Sequence, residues 1–276
     1  MSVLEWLRTL PSWMALSLAM NALLFLAVIF GLRDNQPRQA QDGSVLPQAS
    51  ASVAEGPPSA FVPQLGERQY LNYQQWVALL RQEAEAARNA PRLTVLLGDS
   101  ISLWFPPRFL PGRRTWINQA ISGENSGTLL QRLDALDPAQ VETVFLMIGI
   151  NDLIAGKAES EVVNNVEKSV LYLKKQHPNA DIVVQSILPH AAENATWEGR
   201  DRLLLLPNDR IQAVNTAIAT LTETHGVHYL DLYALFANGE GLLRPDLTTD
   251  GLHLNERGYI VWRTALSILL TSELGG

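Results

Sequence analysis

Short apolar, strand-like runs that alternate with amphipathic, helix-like segments constrain the fold of this chain more than any other feature. The strand-like runs lie at residues 92–97, 115–118, 141–148, 181–188 and 227–230. The helix-like segments lie at residues 70–90, 126–136, 159–176, 209–225 and 256–270. Alternation of this kind predicts an α/β domain in which helices cover both faces of a parallel sheet. We assign this domain to residues 67–276.

The first 66 residues do not follow this pattern. Residues 13–32 are almost entirely apolar, and as a helix they are long enough to cross a bilayer core of about 30 Å. The run exceeds the roughly 7–15 residues of a signal-peptide core. We therefore favour an uncleaved transmembrane anchor at residues 1–33 over a cleaved signal peptide or a buried helix. Residues 34–66 are rich in Pro, Gln, Ser, Ala and Gly, which predicts a flexible linker.

Charge and cysteine content exclude several classes of function. The formal net charge is −7 and there is no block of Lys or Arg, which argues against a nucleic-acid partner. The chain has no cysteine, so disulfides, thiolate metal sites and a cysteine nucleophile are excluded.

Arg8 precedes the apolar run and Arg33 follows it, so the positive-inside rule does not decide the orientation of the chain in the membrane. We expect a single-pass membrane protein with an extracytoplasmic domain, the alternative being export after signal cleavage.

Four short polar blocks lie where a parallel sheet usually carries its chemistry. They are Gly98-Asp99-Ser100, Ile121-Ser122-Gly123, Gly149-Ile150-Asn151-Asp152 and Asp250-Gly251-Leu252-His253. The first three follow strand-like runs, and the fourth precedes the last helix. Ligands of open α/β sheets bind beyond the carboxyl ends of the strands, so we expect one rim of the sheet to gather these blocks. A serine at that rim is a candidate nucleophile if the chain also supplies a base and an oxyanion site.

The order of these blocks and the residues in them, together with the tail at residues 254–259, resemble the SGNH, or GDSL, hydrolase family. The resemblance covers most of the chain from about Thr94 onward. It implies a three-layer α/β/α sandwich with a five-stranded parallel sheet, of the flavodoxin-like type. It also implies a serine ester hydrolase that uses neither a metal nor a cofactor. Neither the anchor nor the linker belongs to what the family requires.

The resemblance also implies the roles of the site residues. Ser100 is the nucleophile, His253 its base, and Asp250 the carboxylate that orients the imidazole. The oxyanion donors are the backbone N–H groups of Ser100 and Gly123 and the side-chain amide of Asn151. Asparagine suits this place because an amide donates a hydrogen bond without adding charge.

Some residues near the blocks depart from the family pattern or have two interpretations. Glu124 and Asn125 follow Gly123 where the family often has an acid and then a small hydroxyl residue, which affects the shape of the loop but not the donor. Trp104 and Phe105 are equally consistent with the wall of an acyl pocket and with core packing. The side chains expected to be structural are the turn cap Asp99, the loop-orienting Asp152, and His177, His190, His225 and His228. His190 follows a strand end, a place from which a side chain can also line the pocket.

The sequence lacks the motifs of other catalytic sites, and more than one class of substrate fits it. Ser102 occupies the glycine position of a nucleophile elbow, and no two-histidine metal pattern is present. A lipid or short acyl ester is the favoured substrate. The alternatives are an O-acetyl group on a cell-wall or exported glycan, acyl transfer to an acceptor, and an inactive relative that only binds a ligand.

Overall fold

The computed structural model describes residues 71–274, and within them five parallel strands form one sheet in the order β2-β1-β3-β4-β5. The strands are β1 (Leu93–Gly98), β2 (Thr115–Asn118), β3 (Thr143–Met147), β4 (Asp181–Gln185) and β5 (His228–Leu230). Every residue of β1 and β3 is buried, as expected for central strands covered on both faces. The predicted sheet is therefore confirmed. The predicted anchor at residues 1–33 and linker at residues 34–66 lie outside the described residues.

Four long helices and five short ones surround this sheet within residues 71–274. The long helices are α1 (Tyr73–Ala86), α5 (Glu159–Gln176), α7 (Asn208–His225) and α9 (Glu256–Ser272). The short ones are α2 (Ser100–Leu103), α3 (Ser126–Gln131), α4 (Ile150–Ile154), α6 (Arg200–Leu204) and α8 (Tyr233–Phe236). In this described part of the chain, every helix is too short or too polar to cross a bilayer.

The helices and the sheet form three layers, α/β/α, as expected. Helix α5 packs against both α3 and α7 in one helical layer. Helix α9 is tied to the residues near the sheet by its two buried aromatic side chains. The indole of Trp262 donates to Gln185 at the end of β4, over 2.7 Å, and the hydroxyl of Tyr259 donates to the carbonyl of Ile101, over 2.9 Å. These bonds satisfy polar atoms that would otherwise be buried without partners.

Three predicted elements differ most from their limits in the structure. The first helix begins at Tyr73 because Asn72 and Gln75 form a capping box there. The segment predicted as one helix at residues 126–136 is α3 followed by a 3₁₀ turn from Leu133 to Leu136. The apolar spacing continues through both, although the backbone tightens between them. The strand predicted to reach residue 188 ends at Gln185, where its pairing with β5 ends.

Candidate active site at the carboxyl rim of the sheet

Ser100 is the first residue of α2, directly after β1, and is 8% exposed. Gly98 has φ +155°, and a Cβ there would lie 2.3 Å from the carbonyl oxygen of Met147 on β3. Only glycine therefore allows the two strands to pair this closely before the chain turns. Asp99 caps α2 by accepting a hydrogen bond from the backbone N–H of Ile101, over 3.0 Å, which confirms its expected role. Helix α2 ends at Leu103, before Pro106.

His253 and Asp250 lie at the same rim as Ser100. The Oγ of Ser100 is 3.1 Å from Nε2 of His253, and Nδ1 of His253 is 2.8 Å from Oδ2 of Asp250. An ionised carboxylate only accepts hydrogen bonds, so Nδ1 carries the proton and Nε2 is left to accept from the serine hydroxyl. The structure thus places an alcohol, an imidazole and a carboxylate in the order that proton transfer from Ser100 requires.

Asp250 also shapes the turn that presents His253. Its Oδ1 accepts from the backbone N–H groups of Leu252 and His253, over 3.0 and 2.8 Å. Burial is the largest influence on its pKa and acts to raise it. The hydrogen bonds from the ring of His253 and from these backbone groups together outweigh burial, so the pKa of Asp250 is lowered. Asp250 therefore stays ionised near neutral pH, as an acceptor for Nδ1–H must.

Gly123 lies on the loop after β2 and Asn151 on α4, the short helix after β3, and both β2 and β3 pair with β1. The N–H of Ile121 donates to the carbonyl of Gly98, over 3.0 Å, which joins the loop after β2 to the residue before Asp99. Gly123 has φ +76°, a conformation that glycine adopts without strain. The side-chain amide of Asn151 donates to the carbonyl of Glu124, over 3.0 Å, and its second N–H is chemically available for a ligand. The N–H of Ser100 has no partner within α2, because it belongs to the first turn of a helix.

A buried ion pair that sequence reasoning missed holds the Gly123 loop. The guanidinium of Arg132 forms a bidentate pair with Glu124, with Nε donating to Oε1 over 2.6 Å. The same guanidinium donates to the carbonyl of Gln119, over 2.7 Å, and the hydroxyl of Tyr73 donates to Glu124, over 3.1 Å. Burial raises the pKa of Glu124, although the bonds from Arg132 and Tyr73 oppose the rise. No periodic pattern in the sequence indicates this pair.

A second buried carboxylate, Asp152, fastens the start of α3. It accepts from both the backbone N–H and the hydroxyl of Ser126, over 2.7 and 2.8 Å. Asp152 lies inside α4 and bonds to the first residue of the neighbouring helix α3, whose own N-cap is Asn125. This is the loop-orienting role expected of Asp152, exerted between elements rather than within one. The contact fixes the start of α3, which follows the Gly123 loop, relative to α4, which carries Asn151.

Asp99→Asn is expected to reduce the loss of stability that the protein shows as the pH rises. Burial raises the pKa of Asp99 from 3.8 to about 7, and the nearby carboxylates of Glu124 and Asp152 add to the rise. Between these pKa values the unfolded chain releases a proton that the folded chain keeps, so stability falls from about pH 4 to about pH 7. Asparagine keeps the capping oxygen but does not ionise. Urea unfolding midpoints across this range measure the slope, with the exposed Asp201→Asn as control. An unchanged slope in Asp99→Asn would contradict the raised pKa.

The structure separates the two interpretations of the aromatic pair after α2. Phe105 is 1% exposed and packs edge-on against Tyr259 and Trp262, so it belongs to the core. Trp104 is 39% exposed, and its ring centroid is 4.3 Å from that of His253.

His190 is buried, contacts the carbonyl of Leu206 through Nε2 over 2.6 Å, and accepts from Ala192 at Nδ1 over 3.1 Å. Both nitrogens of His190 are therefore occupied in holding local backbone.

Comparisons with known proteins agree with this fold. The family model described as GDSL-like lipase/acylhydrolase matches residues 96–261, more than half of the chain. A solved structure from Streptococcus pneumonia, whose name refers to platelet activating factor, is 26% identical with a TM-score of 0.63, over 71% of this chain and 94% of that one. A GDSL-like lipase from Bacteroides thetaiotaomicron is 21% identical with a TM-score of 0.59, over 72% and 97%, and supports the fold.

The curated relatives resemble only part of this chain and are longer than the matched region. N-acylneuraminate cytidylyltransferase from Streptococcus agalactiae serotype V is 24% identical over 164 residues, which are 59% of this chain and 35% of that protein. The chain therefore spans about a third of the length of the curated relatives it matches.

Proposed function

Because the chain belongs to the GDSL-like lipase/acylhydrolase family, we propose that it is a serine esterase that cleaves carboxylic esters through an acyl-enzyme. The observation that carries the proposal is the continuous contact from Ser100 through His253 to Asp250, with distances of 3.1 and 2.8 Å. Family membership supports ester hydrolysis as the class of reaction. The roles of the individual residues and the nature of the substrate are our proposal.

In the proposed reaction, Oγ of Ser100 forms a bond to the acyl carbon while its proton passes to Nε2 of His253. The imidazolium that results is stabilised by Asp250. The tetrahedral oxyanion accepts hydrogen bonds from the N–H groups of Ser100 and Gly123 and from the amide of Asn151, and each such donor is typically worth about 10²–10³ in turnover. The carbon–oxygen bond to the leaving alcohol then breaks, and the alkoxide oxygen takes the proton from Nε2. Water repeats the sequence on the acyl-enzyme and releases the acid.

A lipid or short acyl ester is the substrate class we favour, because the proposed anchor would hold the domain beside a membrane. A second candidate is an O-acetyl ester on a cell-wall or exported glycan. Its support from the comparisons is the sugar in the name of the curated relatives, N-acylneuraminate cytidylyltransferase. Transfer of the acyl group to an acceptor other than water requires the same residues. No cofactor or metal enters any of these reactions as proposed.

Labelling by a fluorophosphonate probe tests the proposed function on the full-length protein in detergent. We expect one covalent adduct, which peptide mass mapping assigns to Ser100, and hydrolysis of p-nitrophenyl acetate that the probe abolishes. A panel from lysophospholipid to acetylated glycan then ranks the two substrate classes. A folded protein that neither labels nor hydrolyses any ester in the panel would contradict the proposal and favour the inactive, ligand-binding relative.

We propose in addition that residues 13–32 anchor the domain in the membrane, with the hydrolase domain on the extracytoplasmic side. The support is the length and apolar character of this run and the linker-like composition of residues 34–66. Amino-terminal sequencing of the protein from membranes separates an uncleaved anchor from export after cleavage. A mature protein that begins beyond residue 33 would contradict the anchor.

A further inference from the structure

Trp104 is an exposed aromatic side chain in direct contact with the candidate base. It follows α2, and its backbone N–H donates to the carbonyl of Ser100, over 3.0 Å. Its indole lies over the ring of His253, with 4.3 Å between centroids and 34° between planes. The neighbours Leu103 and Phe105 are buried, whereas Trp104 is 39% exposed. Core packing therefore does not account for the position of this indole.

The contact with Trp104 completes a set of three on the imidazole. Asp250 holds Nδ1, Ser100 meets Nε2, and the indole lies against the ring itself. The two hydrogen bonds act at the edges of the ring and leave it free to tilt about the line between them. A side chain packed against the ring limits that tilt.

The indole also acts on the charge of the imidazole. An aromatic face attracts a cation whose centre lies within about 6 Å of the ring centroid, and Trp is the most effective of the aromatic side chains. The distance of 4.3 Å between the two rings is inside that limit. In the proposed reaction His253 is a cation only after it has taken the proton of Ser100. The attraction therefore favours the transition state over the resting enzyme, and this difference is what accelerates a reaction.

We propose that Trp104 is a positioning residue for His253, which fixes the plane of the imidazole and stabilises its protonated form. The inference rests on the proposed function, because it gives Trp104 a role only if His253 takes the proton of Ser100. Trp104 itself exchanges no proton and forms no bond with the acyl group. Its effect should therefore fall on kcat rather than on KM.

Two substitutions at Trp104 test this role. Trp104→Leu keeps an apolar cover over His253 but removes the π face, whereas Trp104→Phe keeps a weaker face. We expect Trp104→Leu to lower kcat for p-nitrophenyl acetate about threefold to tenfold, with KM little changed. The acid limb of the kcat/KM profile should move to lower pH by about half a unit to one unit, because loss of the π face makes the imidazole easier to deprotonate. In Trp104→Phe, kcat and the acid limb should both lie closer to the native values than in Trp104→Leu.

Matched measurements separate this proposal from a general loss of structure and from the proposed function. Leu171→Ala removes an exposed apolar side chain from α5 and should change neither kcat nor the acid limb. Thermal unfolding establishes that each variant is folded. If Trp104→Leu does not fold, Trp104→Met replaces it, and the same changes in kcat and in the acid limb are expected. A change in KM alone, or an unchanged kcat and acid limb, would overturn the role of Trp104. If ester hydrolysis by the native chain does not depend on Ser100, the proposed function itself fails.

Discussion

Ser100→Ala is expected to lower ester hydrolysis by about 10⁵-fold, the largest effect of any single substitution in this chain. The methyl group cannot attack the acyl carbon, and His253 then has no hydroxyl at 3.1 Å from which to take a proton. A small residual rate over water is expected, because the oxyanion donors remain in place. The measurement is kcat/KM for p-nitrophenyl acetate on the full-length protein, and the fluorophosphonate adduct should disappear with it.

Ser102 supplies the matched control for this substitution. It lies on the same short helix and is fully buried, but its hydroxyl has no partner among the described residues. Ser102→Ala therefore removes a hydroxyl of the same kind close to Ser100, and we expect hydrolysis within about threefold of the native rate. Native activity in Ser100→Ala, or an equal loss in both variants, would contradict Ser100 as the nucleophile.

The sequence allowed the fold to be predicted because central parallel strands carry an unmistakable pattern. The runs that became β1 and β3 are apolar except for one threonine in each, and glycine closes them at Gly98 and Gly149, as is typical of strands buried on both faces. Parallel pairing then places the residues after each strand at one rim, so the positions of Ser100 and Asn151 followed from topology alone. The helix at residues 126–136 was harder to predict, because apolar spacing does not distinguish an α-helix from the 3₁₀ turn that follows Gln131.

The contacts that refine the site could not be predicted from the sequence. Trp104 and His253 are far apart in the sequence, and helix α3 separates Glu124 from Arg132. Such contacts depend on side-chain rotamers and on loop conformations, for which a sequence has no periodic signal. An acid after Gly123 is also what a solvated loop residue would be, so nothing in the sequence indicates that it is buried.

Arg132→Met is expected to cause the largest loss of stability, about 3–5 kcal/mol, because it leaves the carboxylate of Glu124 buried without its charged partner. The loss should be smaller at low pH, since a protonated Glu124 needs no charged partner. Arg81→Met is the matched control: its ion pair with Asp134 is about half exposed and should cost about 1 kcal/mol or less. Urea unfolding at neutral and acidic pH measures both variants.

The double variant Glu124→Gln, Arg132→Met shows whether the buried pair serves stability or the shape of the loop. Removing both charges should restore much of the lost stability, because no buried charge is left unpaired. If the pair orients Gly123, the double variant should hydrolyse esters more slowly than the native protein even though its stability is restored. The loop would then have lost its attachment to α3, and the carbonyl of Glu124, which accepts from Asn151, would be less well placed. Equal losses of stability in Arg132→Met and Arg81→Met would mean that Glu124 is solvated. Full activity in the double variant would mean that the remaining contacts of the loop, including that of Asn151, are sufficient to hold it.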